Sequence, residues 1–114
     1  FVITDGTRTS IDPLMTKSSY FHSFEIDGPR EVHPNQIICG YTCMEHDRLF
    51  EEKDGPTLQS GDYIVYNKVG AYTMCLTPLF IKYFPDVYVE ANGILKKVRS
   101  AWTPTEYVQR SVLE

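Results

Sequence analysis

Five consecutive residues, Cys43-Met44-Glu45-His46-Asp47, hold a thiol, an imidazole and two carboxylates, and another thiol, Cys39, stands just upstream. Three kinds of chemistry are open to such a cluster. Cys39, Cys43 and His46, with Asp47 or His33 as a fourth ligand, are the residue types that bind zinc. Their spacing falls within the loose range of structural sites, but the second Cys/His pair of a finger is absent. Cys43 and His46 could instead form a nucleophile and its base, although the partners of a catalytic thiol are usually far apart in sequence and joined by the fold. The third reading is a turn, with Cys39 a small buried hydrophobe in a strand, His46 solvated and Asp47 a cap. For Cys39 and His46 this third reading is preferred, and no metal site is expected.

The elements that would position these groups are strands. Phe1 to Thr4 is a β-branched run ending at Asp5-Gly6. Tyr20 to Ile26 alternates Tyr, His, Phe and Ile with polar residues and stops at Asp27-Gly28-Pro29. Gln36 to Tyr41 follows, then, beyond a turn, Asp62 to Tyr66 with strong β-propensity. Val87 to Glu90 meets Asn92-Gly93, a dipeptide that favours a type I′ hairpin turn, leading into Leu95 to Arg99. Helix is expected only over Pro13 to Ser18, weakly, and over Thr105 to Leu113, where Thr105 could cap. The spacing predicts an all-β domain, a Greek-key-like barrel or sandwich with one or two short helices.

With 114 residues the chain is expected to form one domain, able to bury roughly two-thirds of its unfolded surface. Its formal net charge is −4, with Lys and Arg scattered rather than striped, which argues against nucleic acid or anionic membrane as partners. No apolar run approaches the ~20 residues of a bilayer span, and the opening residues do not read as a charged-then-apolar leader, so none is expected. Three cysteines cannot all pair, so they are read as reduced thiols of a cytoplasmic protein. The opening on Phe1-Val-Ile-Thr-Asp5, without Met, reads as a segment of a longer protein.

The order of motifs moves Cys43 away from the ordinary turn. Gly40-x-x-Cys43-x-x-x-Asp47-Arg48 is followed by Gly61-Asp62-Tyr63-Ile64-Val65, then Asn67-x-x-Gly70-Ala71-Tyr72-Thr73, then Phe80 and Pro85. This series resembles the carboxy-terminal β-domain of the pyridoxal-phosphate decarboxylases of alanine-racemase-type fold, a family that includes ornithine, arginine and diaminopimelate decarboxylases. Its pattern is a Gly-Pro-x-Cys-acidic-x-x-Asp segment, a Gly-Asp strand and a Gly-Ala-Tyr turn. Val2-Ile-Thr-Asp5-Gly6 with Pro13 is similar to the strand and loop with which that domain resumes after its barrel, so the resemblance covers nearly all of residues 1–114.

The resemblance implies the C-terminal part of a two-domain enzyme whose (β/α)8 barrel, carrying the cofactor-binding lysine and most phosphate-binding loops, is absent from this chain. It implies pyridoxal 5′-phosphate as cofactor, an amino acid as substrate, and as partners the chain's own N-terminal barrel and a second subunit in a head-to-tail homodimer. Cys43 would protonate the α-carbon of the decarboxylated substrate in the partner's site, Tyr72 would contact the cofactor phosphate, and Phe80 would line the substrate pocket. Asp47 and Asp62 would hold turns that aim Cys43 and Tyr72. The chain's six lysines are read as surface charges, so alone it should be inactive.

Departures from the pattern concern the substrate. Met44 stands where the family has an acidic residue for a distal amine. Asp12 and Thr16 stand where diaminopimelate decarboxylases hold a distal carboxylate with Arg and Tyr, and Ile81 replaces a common Asn. Asp12, Met44 and Phe80 are therefore the substrate-facing candidates, and a basic or neutral polar distal end is expected. The alternative is a non-catalytic relative that keeps the fold, of the antizyme-inhibitor kind, or an unrelated small β-barrel binding module.

Overall fold

The computed structural model describes residues 1–112, and the chain divides into two units, Phe1–Pro78 and Leu79–Glu114. In the first unit the order is β1 (Val2–Ile3), α1 (Arg8–Ile11), β2 (Phe21–Glu25), β3 (Val32–Cys39), β4 (Arg48–Pro56), β5 (Tyr63–Asn67) and α2 (Thr73–Leu76). Strand β3 is central to a sheet of order β1-β3-β4, parallel to β1 and antiparallel to β4, while β2 and β5 form a separate antiparallel pair.

Alternation along β2 and β5 decides how these sheets meet. His22 and Phe24 of β2 and Ile64 and Tyr66 of β5 form the less exposed face, with His22 opposite Tyr66 and Phe24 opposite Ile64. Phe50 of β4 inserts against that face, its ring 4.0 Å from His22 and 6.2 Å from Tyr66 between centroids. Tyr20 meets Tyr66 edge-on at 6.1 Å, an arrangement that aromatic quadrupoles favour. This aromatic layer joins the two sheets as a small sandwich. Beside it Ile38 and Leu49 are the most deeply buried aliphatic side chains. Burial of the Tyr66 ring also holds its hydroxyl pKa far above the ordinary tyrosine value, with the nearby Tyr20 adding to the shift.

In the second unit β6 (Val87–Ala91) and β7 (Ile94–Arg99) form a hairpin, and α3 spans Pro104–Val108. Asn92 and Gly93 both have positive φ, 54° and 74°, as a type I′ turn requires. Trp102 packs edge-on against Phe84 at 4.9 Å. Asp86 accepts from Lys97 Nζ at 2.8 Å and from the Ala101 backbone N–H at 2.7 Å, and these two donors, the lysine first, hold its carboxyl below the usual range.

The all-β expectation holds: strands dominate and the helices are short. The strands among the described residues form three open sheets and no closed barrel. Three local expectations need correction. Pro13 to Ser18 is a turn and loop with Met15 at φ 51°, and the helix lies earlier, at Arg8–Ile11, where Thr7 caps it by accepting from the Thr9 N–H. Thr103, not Thr105, caps α3, in a reciprocal box with Glu106, and the helix ends at Val108; Leu113 lies outside the described residues. Arg48–Pro56, read from sequence as a turn, is the longest strand. Among the described residues no helix is long and apolar enough to cross a membrane.

Candidate functional site

Helix α1 has only four residues, yet four of the five candidate site residues, all but Phe80, stand at its end or on turns bonded to it. At its N-terminal end the Asp47 carboxylate, 2% exposed, accepts from the Arg8 N–H at 2.7 Å and the Thr7 hydroxyl at 2.9 Å. The other Asp47 oxygen accepts from the N–H of Thr42 at 3.1 Å and from the Thr42 hydroxyl. The Gly40 N–H donates to the Asp47 carbonyl and the Asp47 N–H to that of Met44, closing residues 40–47 into one turn. An added Cβ on Gly40 would collide with the Asp47 carboxylate, so the missing side chain is what lets the turn close. Cys43 sits at the exposed tip of this turn as a free thiol, with Met44 half-buried beside it.

Asp12 occupies the C-terminal end of α1, its N–H donating to the Arg8 carbonyl. Its carboxylate accepts from the backbone N–H of Lys17 at 2.9 Å and Thr16 at 3.3 Å and from the Tyr20 hydroxyl at 3.1 Å, and it faces Arg8 at 3.6 Å. Arg8 in turn donates to the carbonyls of Met15 and Lys17. Burial alone would raise the Asp12 pKa; the Lys17 and Thr16 N–H groups, the Tyr20 hydroxyl and the Arg8 guanidinium outweigh it, and the carboxyl lies below its usual range. Tyr20 moves the other way, raised chiefly by burial. Asp12 is 4% exposed and its carboxylate serves its own loop.

Tyr72 is the N-terminal residue flanking α2, in the left-handed region at φ 64°, and its side chain is exposed. The N–H groups of Cys75 and Leu76 both donate to its carbonyl. At the other end of α2 the Thr77 hydroxyl lies 2.6 Å from the Thr73 carbonyl and 3.2 Å from the Thr9 carbonyl of α1. The Tyr72 turn is thereby anchored to the same helix as the Cys43 turn.

Phe80 belongs to the second unit, 45% exposed, and is followed by Ile81 at φ 71°. That conformation is strained for a β-branched side chain. Asp62 accepts from the Gln59 N–H at 2.7 Å, closing the 59–62 turn, and from Arg30 at 2.8 Å; the first of these chiefly holds its carboxyl below the usual range. Cys39 is buried and His46 exposed, as the ordinary reading of each has it. Among the described residues no group of three or more His, Cys, Asp or Glu side chains is placed to hold a metal ion.

Sequence reasoning missed Thr7, Thr9, Thr42 and Thr77, the threonines that tie these turns together. Only Thr7 carried a signal, a capping residue ahead of a short helical segment. A cleft of about 540 Å³ in the first unit, walled by residues such as Ile3, Ile11, Leu58 and Tyr66, is lined by none of Cys43, Tyr72 or Asp12.

The arrangement is that of a small all-β domain presenting the Cys43 thiol and the Tyr72 phenol on braced turns, with sequence similarity to decarboxylases. The chain is 23% identical to ornithine decarboxylase of Rattus norvegicus over 119 aligned residues, covering 98% of this chain and 26% of the relative. It is also 23% identical to the ornithine decarboxylases of Mus pahari and Mus musculus, with 93% of this chain and 24% of each relative covered. It therefore spans about a quarter of the length of these curated relatives. No family model matches it.

Proposed function

We propose that this chain is the C-terminal β-domain of a pyridoxal-phosphate-dependent amino-acid decarboxylase, supplying Cys43 as proton donor and Tyr72 as a phosphate contact. The observation that carries the reading is the mounting of both residues, exposed, on turns bonded to one helix, in a chain similar to ornithine decarboxylases over nearly its whole length. The cofactor, when bound, supplies the electron sink that lets carbon dioxide leave the α-carbon. Of the residues present, the exposed Tyr72 hydroxyl suits a phosphate oxygen as a rigid single donor. A cofactor-binding lysine and the other phosphate donors come from the longer parent protein, so activity belongs to the parent.

Cys43 delivers its proton to the α-carbon once carbon dioxide has left, the work of a general acid. The unpaired state of all three cysteines suits a reducing, cytoplasmic setting. A head-to-tail homodimer, in which Cys43 completes the partner's site, and the aromatic wall assigned to Phe80 both rest on the family resemblance. Asp12 supports the domain more than the substrate, because its carboxylate is taken by Lys17, Thr16, Tyr20 and Arg8. The exposed Glu45, beside Met44, then becomes the carboxylate best placed in sequence to meet a distal amine.

In the full-length protein, Cys43→Ala should lower kcat by about 10²-fold or more, the usual worth of a general acid, with less effect on KM. Mixing Cys43→Ala subunits with subunits lacking the barrel lysine should restore part of the activity. Mixed dimers that exchange subunits yet stay inactive would remove the shared-site assignment. A full-length protein that decarboxylates no amino acid would favour the non-catalytic alternative.

A further inference from the structure

The geometry points to α1 as a coupling element: Arg8–Ile11 fixes the Cys43 turn and the Tyr72 turn relative to each other, with Asp47 and Thr77 as the positioning residues. Each bond of the chain is explicit. Thr42 and Gly40 bind Asp47, Asp47 binds Thr7 and Arg8 at one end of α1, the Thr9 carbonyl faces the Thr77 hydroxyl, and Thr77 binds Thr73 in the turn that Tyr72 opens. Thr7, Thr9 and Asp47 are 2%, 5% and 2% exposed, so little water competes for the Thr7–Asp47 bond at the centre of the chain, while the links through Thr42 and Thr77 are part-buried. A buried polar network of this kind holds its members to one geometry, because breaking one bond strands the partner away from water.

Apolar packing does not provide a substitute. Cys43 is exposed, Tyr72, Met74 and Leu76 are each about half exposed or more, and α2 contains no buried residue. The positions of the thiol and the phenol are therefore set by hydrogen bonds that converge on α1. On the proposed function, this spacing is what places a proton donor and a phosphate contact on one bound substrate–cofactor pair, where a misplacement of about 1 Å costs catalysis heavily. Coupling of this sort is established by a mutant cycle rather than by adjacency.

The test uses the full-length protein. Cys43 alkylation by iodoacetamide is followed across a pH series by peptide mass spectrometry, a readout that needs no decarboxylase activity. Thr77→Val removes the hydroxyl whose single proton is shared between the Thr73 carbonyl at 2.6 Å and the Thr9 carbonyl at 3.2 Å; it should change the Cys43 alkylation rate by about fivefold, the equivalent of one net hydrogen bond. Thr77→Ser should restore the native rate and pH profile. Asp47→Asn should have a larger effect, and adding Thr77→Val to it should bring little further change. Thr7→Val against Thr7→Ser supplies the same comparison if Asp47→Asn fails to fold. Leu49→Val, a core truncation outside the network, should lower stability and leave the Cys43 profile native.

Coupling through α1 is overturned if Thr77→Val lowers thermal stability but leaves the Cys43 rate and pH profile native, or if the two substitutions act independently. The proposal rests on the proposed function only for its catalytic meaning. Absence of decarboxylation with an altered thiol profile in Thr77→Val would remove that function and keep the coupling, whereas native thiol behaviour in an active enzyme would do the reverse.

Discussion

Asp12→Asn offers a sharp trial of the buried network, because the substitution keeps size and shape while removing one acceptor and the charge. In the native chain one oxygen of Asp12 receives the Thr16 N–H and the other receives the Lys17 N–H and the Tyr20 hydroxyl while facing Arg8. An asparagine that keeps its carbonyl toward Lys17 and Tyr20 must point its NH2 at the Thr16 N–H, donor against donor, and leaves Arg8 without an anion at this position. Hydrogen bonds to a charged group are worth about 1.5–3 kcal/mol each. Arg8 retains the Met15 and Lys17 carbonyls, so a net local loss of about 2 kcal/mol is expected. That corresponds to about 30-fold faster hydrogen exchange at the Thr16 and Lys17 amides, read by mass spectrometry on the full-length protein. The pH dependence has a definite sign. The folded pKa of Asp12 is depressed, so its contribution is complete above the ordinary aspartate pKa of about 3.9 and fades as pH falls through the lower folded value. The gap between native and Asp12→Asn should therefore be full at neutral pH and close in strong acid. Equal exchange rates at neutral pH would refute the reasoning, and would return the Asp12 carboxylate to the pool of groups free to meet substrate.

Three further outcomes are expected. Gly40→Ala drives a Cβ into the Asp47 carboxylate and should cost about 1–3 kcal/mol, as overpacking does, seen as a lower thermal midpoint together with a disturbed Cys43 turn. Ile81→Gly removes a β-branched side chain from φ 71° and should stabilise the second unit by up to about 1 kcal/mol; Trp102, the sole tryptophan, reports that unit by fluorescence, and a lower midpoint would contradict the strain. Residues 1–114 alone, mixed with pyridoxal phosphate, should give no saturable visible absorbance band that borohydride can trap on one lysine, because the cofactor needs an amine held in a shaped site; a single trapped lysine would contradict this.

Most of the strands were legible from local pattern. Tyr20 to Ile26 and Asp62 to Tyr66 alternate, and the structure pairs them as β2 and β5 with their inner residues facing Phe50. Asn92-Gly93 announced its hairpin because those residues tolerate positive φ where others do not. Local pattern failed at Arg48–Pro56. Glu51-Glu52-Lys53-Asp54-Gly55 has poor strand propensity and a turn-like Asp-Gly, and it becomes β4 because β3 offers partners on both sides of Pro34, His33 against Gly55, Gln36 against Glu52 and Ile38 against Phe50. The helix misplaced to Pro13–Ser18 fails for a related reason: Asp12 takes the Thr16 and Lys17 N–H groups and bends those residues into a loop, while Thr7 caps the preceding segment.

The sequence by itself carried the all-β class, the candidate residues Cys43, Tyr72, Asp12, Met44 and Phe80, and an order of motifs that resembles decarboxylases. Tertiary structure alone decided what each carboxylate does. Asp12 and Asp47 look equally available as residue types, but each is buried and bonded at opposite ends of α1, while Cys43 and Tyr72 stay exposed. The bonds responsible join residues 5, 40 and 68 positions apart, Asp12 to Lys17, Thr7 to Asp47 and Thr9 to Thr77. Periodicity and propensity describe neighbours along the chain, whereas a buried hydrogen bond depends on which donors the folded chain brings to the acceptor.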